Sequence, residues 1–293
     1  MSQRQWRDTL YGAPGDLIQI VSEQGLHDLD VISGSRPLPR GDGSIPGLHT
    51  VAEKSITQRL WLAADTPAEA ETLMAGFRAQ TGPSRDVPEP FRFRHAGGDD
   101  KFVWARVIHR SEPRTVDTER HGLFEFTVQF EVTDPRIYSV ATVQELVPEF
   151  DQADDGGFQW PVDWPIDMEV GALSTAVLVH AGGTTAWPLI RFQHPGAGTC
   201  NGVTLTNLTT GDVFVLAFPN LLVAGQTLTA DMGLVVQPFP AGPPIHIAGS
   251  SRVGTWVHPR VPLGLRPGAN TLRFDIDGTA EIVCLVTWRT TDL

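Results

Sequence analysis

Between Leu123 and Ser139 the chain alternates, with Phe124, Phe126, Val128, Phe130 and Val132 apolar and Glu125, Thr127, Gln129 and Glu131 polar between them. A period of two puts the apolar set on one face of a strand and would scatter it around a helix, so the stretch predicts a long antiparallel strand with one buried side. Thr133-Asp134-Pro135 ends the run, because proline has no N–H for the ladder and restricts the residue before it. Shorter runs of similar kind predict strands from Leu17 to Val21, Leu29 to Ile32, Ile56 to Leu62, Phe91 to Arg94 and Phe102 to His109. Turns are marked at Gly12-Ala13-Pro14-Gly15, Gly41-Asp42-Gly43, Ile45-Pro46-Gly47 and Gly97-Gly98.

One segment has a helical signature. Thr66-Pro67-Ala68-Glu69 offers an N-cap threonine, proline at the first helical position and a glutamate placed for a capping box. Leu73 and Phe77 then share a face that Met74 widens, and Gly82-Pro83 stops the run, so a helix over residues 66–80 is expected to lie across a β-sandwich. From about Val140 to Val170 the alternation gives way to acids, Gly156-Gly157, Trp160-Pro161 and Trp164-Pro165. Its charge is that of a linker, but evenly spaced aromatics are foreign to a free acidic tether, so Phe158, Trp160 and Trp164 are expected to dock on one of the domains. The alternation resumes from Trp187 to Phe192, Val203 to Leu208, Val213 to Phe218, Gln226 to Ala230, Leu234 to Val236, Thr271 to Ile276 and Ile282 to Trp288, without a helical signal.

The expected architecture is mostly β, with two antiparallel β-sandwich-type domains, and 293 residues suffice for about two cores. Residues 1–140 form the first, with one α-helix; 141–170 are an acidic linker-like segment; 171–293 form a galectin-like or jelly-roll sandwich. The uncharged run from Val213 to Ala230 contains Pro219, Asn220, Gly225 and Gln226, which mark two strands and a turn rather than a membrane span. The N-terminus, Met1 to Asp8, has no apolar stretch of signal-peptide kind, so synthesis and assembly in a cytoplasm are expected.

Charge refines this division. Of the net −12, eight units lie between Glu145 and Glu169, where Glu145, Glu149, Asp151, Asp154, Asp155, Asp163, Asp167 and Glu169 occur without a Lys or Arg. Residues 1–144 carry −4 and residues 170–293 are neutral, so no basic footprint for nucleic acid exists. Cys200 and Cys284 are the only cysteines; buried thiols are expected, with a disulfide between them left open.

Catalytic templates find no match. The nine histidines show no metal-ligand spacing, and there is neither a Gly-x-Ser-x-Gly elbow nor a phosphate-cradling loop, so no enzyme, metal or cofactor is expected. Asp275-Ile276-Asp277-Gly278 begins like a calcium loop but lacks its later ligands, and reads as a hairpin turn. Arg40-Gly41-Asp42, a cell-adhesion tripeptide, reads as an exposed turn, and the glycosylation sequon Asn207-Leu208-Thr209 has no expected role.

Taken in order, Ile45-Pro46-Gly47, the capped helix and the strand running from Phe124 through Asp134-Pro135-Arg136-Ile137-Tyr138-Ser139 resemble the N-terminal domain of distal tail proteins of long, non-contractile-tailed bacteriophages (siphovirus type). Leu222-Val223-Ala224-Gly225-Gln226-Thr227-Leu228-Thr229-Ala230-Asp231 and Leu265-Arg266-Pro267-Gly268-Ala269-Asn270-Thr271-Leu272-Arg273-Phe274 resemble the C-terminal domain of the same family. The resemblance implies a virion structural protein of the tail tip. Its N-terminal domains would form a ring, usually of six copies, joining the tail tube protein to the tail-tip hub of the baseplate, and galectin-like domains would project outward. DNA would pass the ring without specific binding, since phosphate binding needs clustered Lys and Arg.

The rival reading is a carbohydrate-binding module or adhesin for a host surface polysaccharide. It rests on Trp187 and Trp256, because aromatic faces stack on sugars. Self-association separates the two readings, although a ring can also carry outward-facing binding domains.

Overall fold

The computed structural model describes residues 3–37, 42, 44–45, 47–82, 87–113, 122–148, 175–233, 245–247 and 262–293. They fall into two compact units, Met1–Val140 with Asp292–Leu293, and Ala141–Thr291. Both units are antiparallel and β-rich.

The first unit contains β1 (Gln3–Trp6), β2 (Thr9–Tyr11), β3 (Ile18–Gln24), β4 (Val31–Ser33), β5 (Arg36–Pro37), β6 (Ser44–Ile45), β7 (His49–Val51), β8 (Lys54–Ala63), α1 (Pro67–Gln80), β9 (Glu89–Arg94), β10 (Lys101–Ser111), β11 (Leu123–Val132) and the start of β12 (Ile137–Val147). One sheet runs β3-β8-β11-β10 and the other β2-β1-β9-β10, with β12 also on β10. Strand β10 serves both: Lys101 to Ala105 pair with β9, Arg106 to Ser111 pair with β11, and a register shift falls between Val107 and His109. Such an irregularity bends a strand, which lets one strand turn a sandwich corner.

The alternation read along β11 is realised, since Phe124, Phe126, Val128, Phe130 and Val132 are all buried. Its ten residues pair with β8 from Leu123 opposite Ala63 to Val132 opposite Lys54. Phe130 packs at 5.0 Å from both Trp6 and Phe91. Two polar residues of β8 also point inward with partners: Tyr11 donates to Gln58 at 2.7 Å, and Lys54 Nζ donates to the Leu26 carbonyl at 2.8 Å.

Helix α1 starts as its sequence predicts. Thr66 Oγ1 accepts from the Glu69 N–H at 3.2 Å and Pro67 opens the first turn. At the other end the backbone N–H and hydroxyl of Thr81 both donate to the Phe77 carbonyl, at 2.8 and 2.7 Å. The buried stripe is Ala70, Met74 and Phe77, with Leu73 only partly covered, and Phe77 meets Phe126 at 4.8 Å.

The second unit contains β13 (Thr175–His180), β14 (Leu189–Gln193), β15 (Cys200–Asn207), β16 (Asp212–Leu222), β17 (Thr227–Asp231), β18 (Ile245–Ile247), β19 (Gly268–Gly278) and β20 (Val283–Asp292). One sheet runs β13-β19-β15-β16 and β20, β14, β17 and β18 pair in that order. Phe192 stands between Phe214 at 6.0 Å and Phe274 at 5.4 Å, an aromatic stack at the centre of this core.

Several readings change. Residues 141–147, assigned to the acidic linker, belong to β12; residues 141–146 are exposed and carry no alternation, and only Val147 is buried, in the second core. The β1–β2 hairpin, β13 and β18 are too short or irregular to show a period. Asp275 to Gly278 are not a turn but the end of β19, where Asp275 lies opposite Thr204 and Asp277 opposite Gly202. Gly278 sits there at φ 147°, and a Cβ on it would fall 1.9 Å from the Thr199 carbonyl oxygen, an approach only glycine permits. The strand read from Leu234 to Val236 lies outside the described residues.

Candidate assembly surfaces

Strands β8 and β11 bury one face and turn the other outward, where paired charged and polar side chains stand beside exposed Trp61 and Leu123. Arg59 pairs with Glu125, and Arg106 pairs with Glu131 directly opposite it. Gln129 Nε2 donates to Ser55 Oγ at 2.8 Å. The hydrogen bond from Arg59 holds the Glu125 carboxyl below the usual carboxylate range. Trp61, 52% exposed, lies opposite Glu125. The ionic pairs cancel across this face, so it offers no cationic track for phosphates. At its edge, β3 shifts register between Ile20 and Ser22 and leaves Val21 exposed.

A second surface is formed by two short ribbons. Strand β4 pairs with β7 and β5 with β6, and the crossing is closed by the Gly34 N–H donating to the Leu48 carbonyl at 3.0 Å. A Cβ on Gly47 would lie 2.1 Å from the Gly34 carbonyl oxygen, so the two strands touch backbone to backbone there. Val31 and Ile32 are 58% exposed and Leu48 88%. Two-stranded ribbons are marginal alone, and exposed apolar side chains on one are candidates for an interface.

In the second unit the outward side of β13-β19-β15-β16 carries Val177, Val179, Val213 and Val215, all exposed, with Thr204 and Thr206 between them. Here the family-like stretch Leu265 to Leu272 has a physical basis. Asn270 accepts from the Arg266 N–H at 3.0 Å and donates to the carbonyls of Arg266 and Gly268 at 2.8 and 3.1 Å, so its side chain holds the turn closed. Buried Asn207 joins it, donating to Gly264 O at 2.9 Å and to Asn270 Oδ1 at 3.2 Å. The Asn207 side chain is therefore engaged in the fold. Asn270→Ala is expected to cost about 1–3 kcal/mol, the usual penalty for buried groups losing a hydrogen-bonding partner, and a urea titration of purified protein checks it.

Asp134 gives the end of β11 a similar lock. One carboxylate oxygen accepts from the Arg136 N–H at 3.2 Å and the other from the Tyr138 hydroxyl, whose pKa burial and the Asp134 charge push up.

Of the residues expected to bind sugar or dock, only Trp187 is among the described residues. Trp187 is half-buried against the second core, and a Cβ on Gly264 would fall 2.9 Å from its ring. Trp256 and the docking residues Phe158, Trp160 and Trp164 lie outside the described residues, as do Arg40 and Gly41 of the tripeptide. Cys200 and Cys284 are buried and form no disulfide, and burial raises the Cys284 thiol pKa. His180 and His194 are buried, bonding backbone carbonyls of Thr184 at 2.6 Å and Gly198 at 3.3 Å. Among the described residues no three His, Cys, Asp or Glu side chains group as metal ligands, and no helix is long and apolar enough to cross a membrane. One grouping escaped the sequence: His27 and His95, 68 positions apart, meet at Nε2···Nε2 2.9 Å.

This two-unit β architecture matches solved phage structures end to end. The SPP1 Dit protein, described as a paradigm of the hub adsorption apparatus in phages infecting Gram-positive bacteria, superposes with a TM-score of 0.65 over 100% of both chains at 11% identity. The fold is shared. A chain of the phage P2 baseplate in its activated conformation matches at a TM-score of 0.54 over 98% of both chains at 9% identity, in both its calcium and its strontium structures. No family model matches the chain, and no curated protein matches it by sequence.

Proposed function

We propose that this chain is a distal tail protein: a structural component of a siphovirus-type phage tail tip, assembled in the host cytoplasm and carried in the virion. The observation that carries the reading is the end-to-end match to the SPP1 Dit protein, in which the whole two-unit plan recurs at an identity too low to preserve anything but architecture. Its first unit forms a ring, of six copies, between the tail tube protein and the tail-tip hub of the baseplate. Closed rings of identical copies need a surface that meets a different surface on the neighbour. The exposed Val31, Ile32 and Leu48 of the β4–β7 region and the β3 edge are the surfaces suited to that contact. The second unit is the galectin-like domain, projecting outward and serving host attachment.

The ring lets DNA pass without holding it, consistent with a net charge of −12 and with the paired charges on the β8–β11 face. The protein performs no catalytic step and needs no cofactor. The carbohydrate-binding reading has no comparable support, since the Trp187 ring is packed against its own unit and only Trp256 remains for it.

Light scattering of the purified chain over a range of concentrations, with negative-stain imaging of the same sample and of the sample mixed with tail tube protein and hub protein, tests the reading. Rings of about six copies, alone or with those partners, are expected. A monomer that stays monomeric with both partners overturns it.

A further inference from the structure

His27 lies in the loop after β3 and His95 directly after β9, and their Nε2 atoms stand 2.9 Å apart with ring centroids at 5.0 Å. Both rings also pack edge-on against Phe93, at 6.1 and 5.5 Å, so one aromatic side chain orients both imidazoles. We infer that this pair is a two-histidine chelating site for a borderline divalent transition metal of the copper, nickel and zinc class.

The spacing suits a metal as well as it suits a shared proton. Imidazole nitrogens bind such ions at about 2.0–2.1 Å, and two of them in neighbouring positions around one ion are about 3 Å apart. In the metal-free pair one Nε2–H donates to the other Nε2. Binding needs that ring only to move its proton to Nδ1, so that both Nε2 lone pairs meet the ion with no net loss of a proton. Partial burial lowers the pKa of each histidine, and so do nearby cations, Lys54 and Arg4 for His27 and Arg4 and Lys101 for His95. An Nε2···Nε2 hydrogen bond already requires one unprotonated imidazole, and a metal requires both.

The same cations oppose a dication less than their number implies. Arg4 is held by both carboxylate oxygens of Glu23, at 2.6 and 2.9 Å, and Lys54 donates to the Leu26 carbonyl. Both imidazoles are exposed, so an ion reaches them without opening the fold, and water completes its coordination. Coordination by both rings ties the loop after β3 to the residue that follows β9.

Calorimetric titration of the full chain, free of any purification tag, with nickel chloride tests the inference, accompanied by electron paramagnetic resonance of the copper(II) form. One saturable equivalent is expected, with two nitrogens coupled to the copper. His27→Ala and His95→Ala are each expected to abolish the saturable phase, and His109→Ala, at another exposed histidine, to leave it intact. The rings are exposed, so these variants should keep the wild-type circular dichroism spectrum. Absence of saturable binding by the wild type, or equal binding by the His27 and His95 variants, overturns the inference.

Discussion

Phe126→Asp is expected to abolish soluble expression. Phe126 is fully buried in the middle of β11, opposite Leu60 of β8 and 4.8 Å from the Phe77 ring of α1, so its side chain joins strand to helix. Truncating a buried phenylalanine costs about 3–5 kcal/mol, and placing an unpaired carboxylate in the same space adds several more. Domains of this size are stable by about 5–15 kcal/mol, so the change consumes most or all of the margin. The measurement is the soluble fraction after lysis, with Phe126→Leu beside it as the shape-tolerant control, expected to express as wild type. Soluble, wild-type-like Phe126→Asp protein would mean that the inward face of β11 is misplaced.

Phe192→Ala is expected to destabilise the second unit by about 3–5 kcal/mol. Phe192 is fully buried on β14 and stacks on Phe214 of β16 and Phe274 of β19, so its ring fills the space between strands of both sheets. Aromatic pairing adds about 0.5–1.5 kcal/mol per contact beyond the area buried. For a unit of this size the loss corresponds to a fall in melting temperature on the order of 10 °C. Differential scanning calorimetry reads it, and Phe192→Leu should recover most of the loss. A change below about 1 kcal/mol would place the centre of this core elsewhere.

The two substitutions differ in how far they could be foreseen. Phe126 lies in a ten-residue alternation that needs no partner to be read, because a strand with one buried face writes its period into its own residues. Helix α1 was equally legible at its start, where Thr66 and Pro67 act locally, and less so in its stripe. Met74 rather than Leu73 is fully buried, because the angle at which the helix meets β8 and β11 selects the face. Phe192 was legible as an apolar strand residue, but its neighbours Phe214 and Phe274 are 22 and 82 residues away.

Errors arose where local chemistry and long-range pairing disagree. Asp277-Gly278 has turn chemistry, but Gly278 is required instead by the close approach of Thr199, the residue that precedes β15. Residues 141–146 have no alternation because they are exposed, and the acidic stretch that follows disguised them as linker. The assembly surfaces were the least visible. Val31, Ile32 and Leu48 read as ordinary strand and turn residues until their exposure is known.

The amino-acid sequence by itself determined the β class, the antiparallel strand period, the cap of the one helix, the charge division and the absence of a basic track, because each is carried by neighbours along the chain. Only the tertiary structure decided that β10 serves two sheets, that Asn207 and Asn270 share one polar network, and that His27 and His95 meet. Those depend on register between strands distant in sequence, and register is set by the sum of many weak packing terms that no single segment contains.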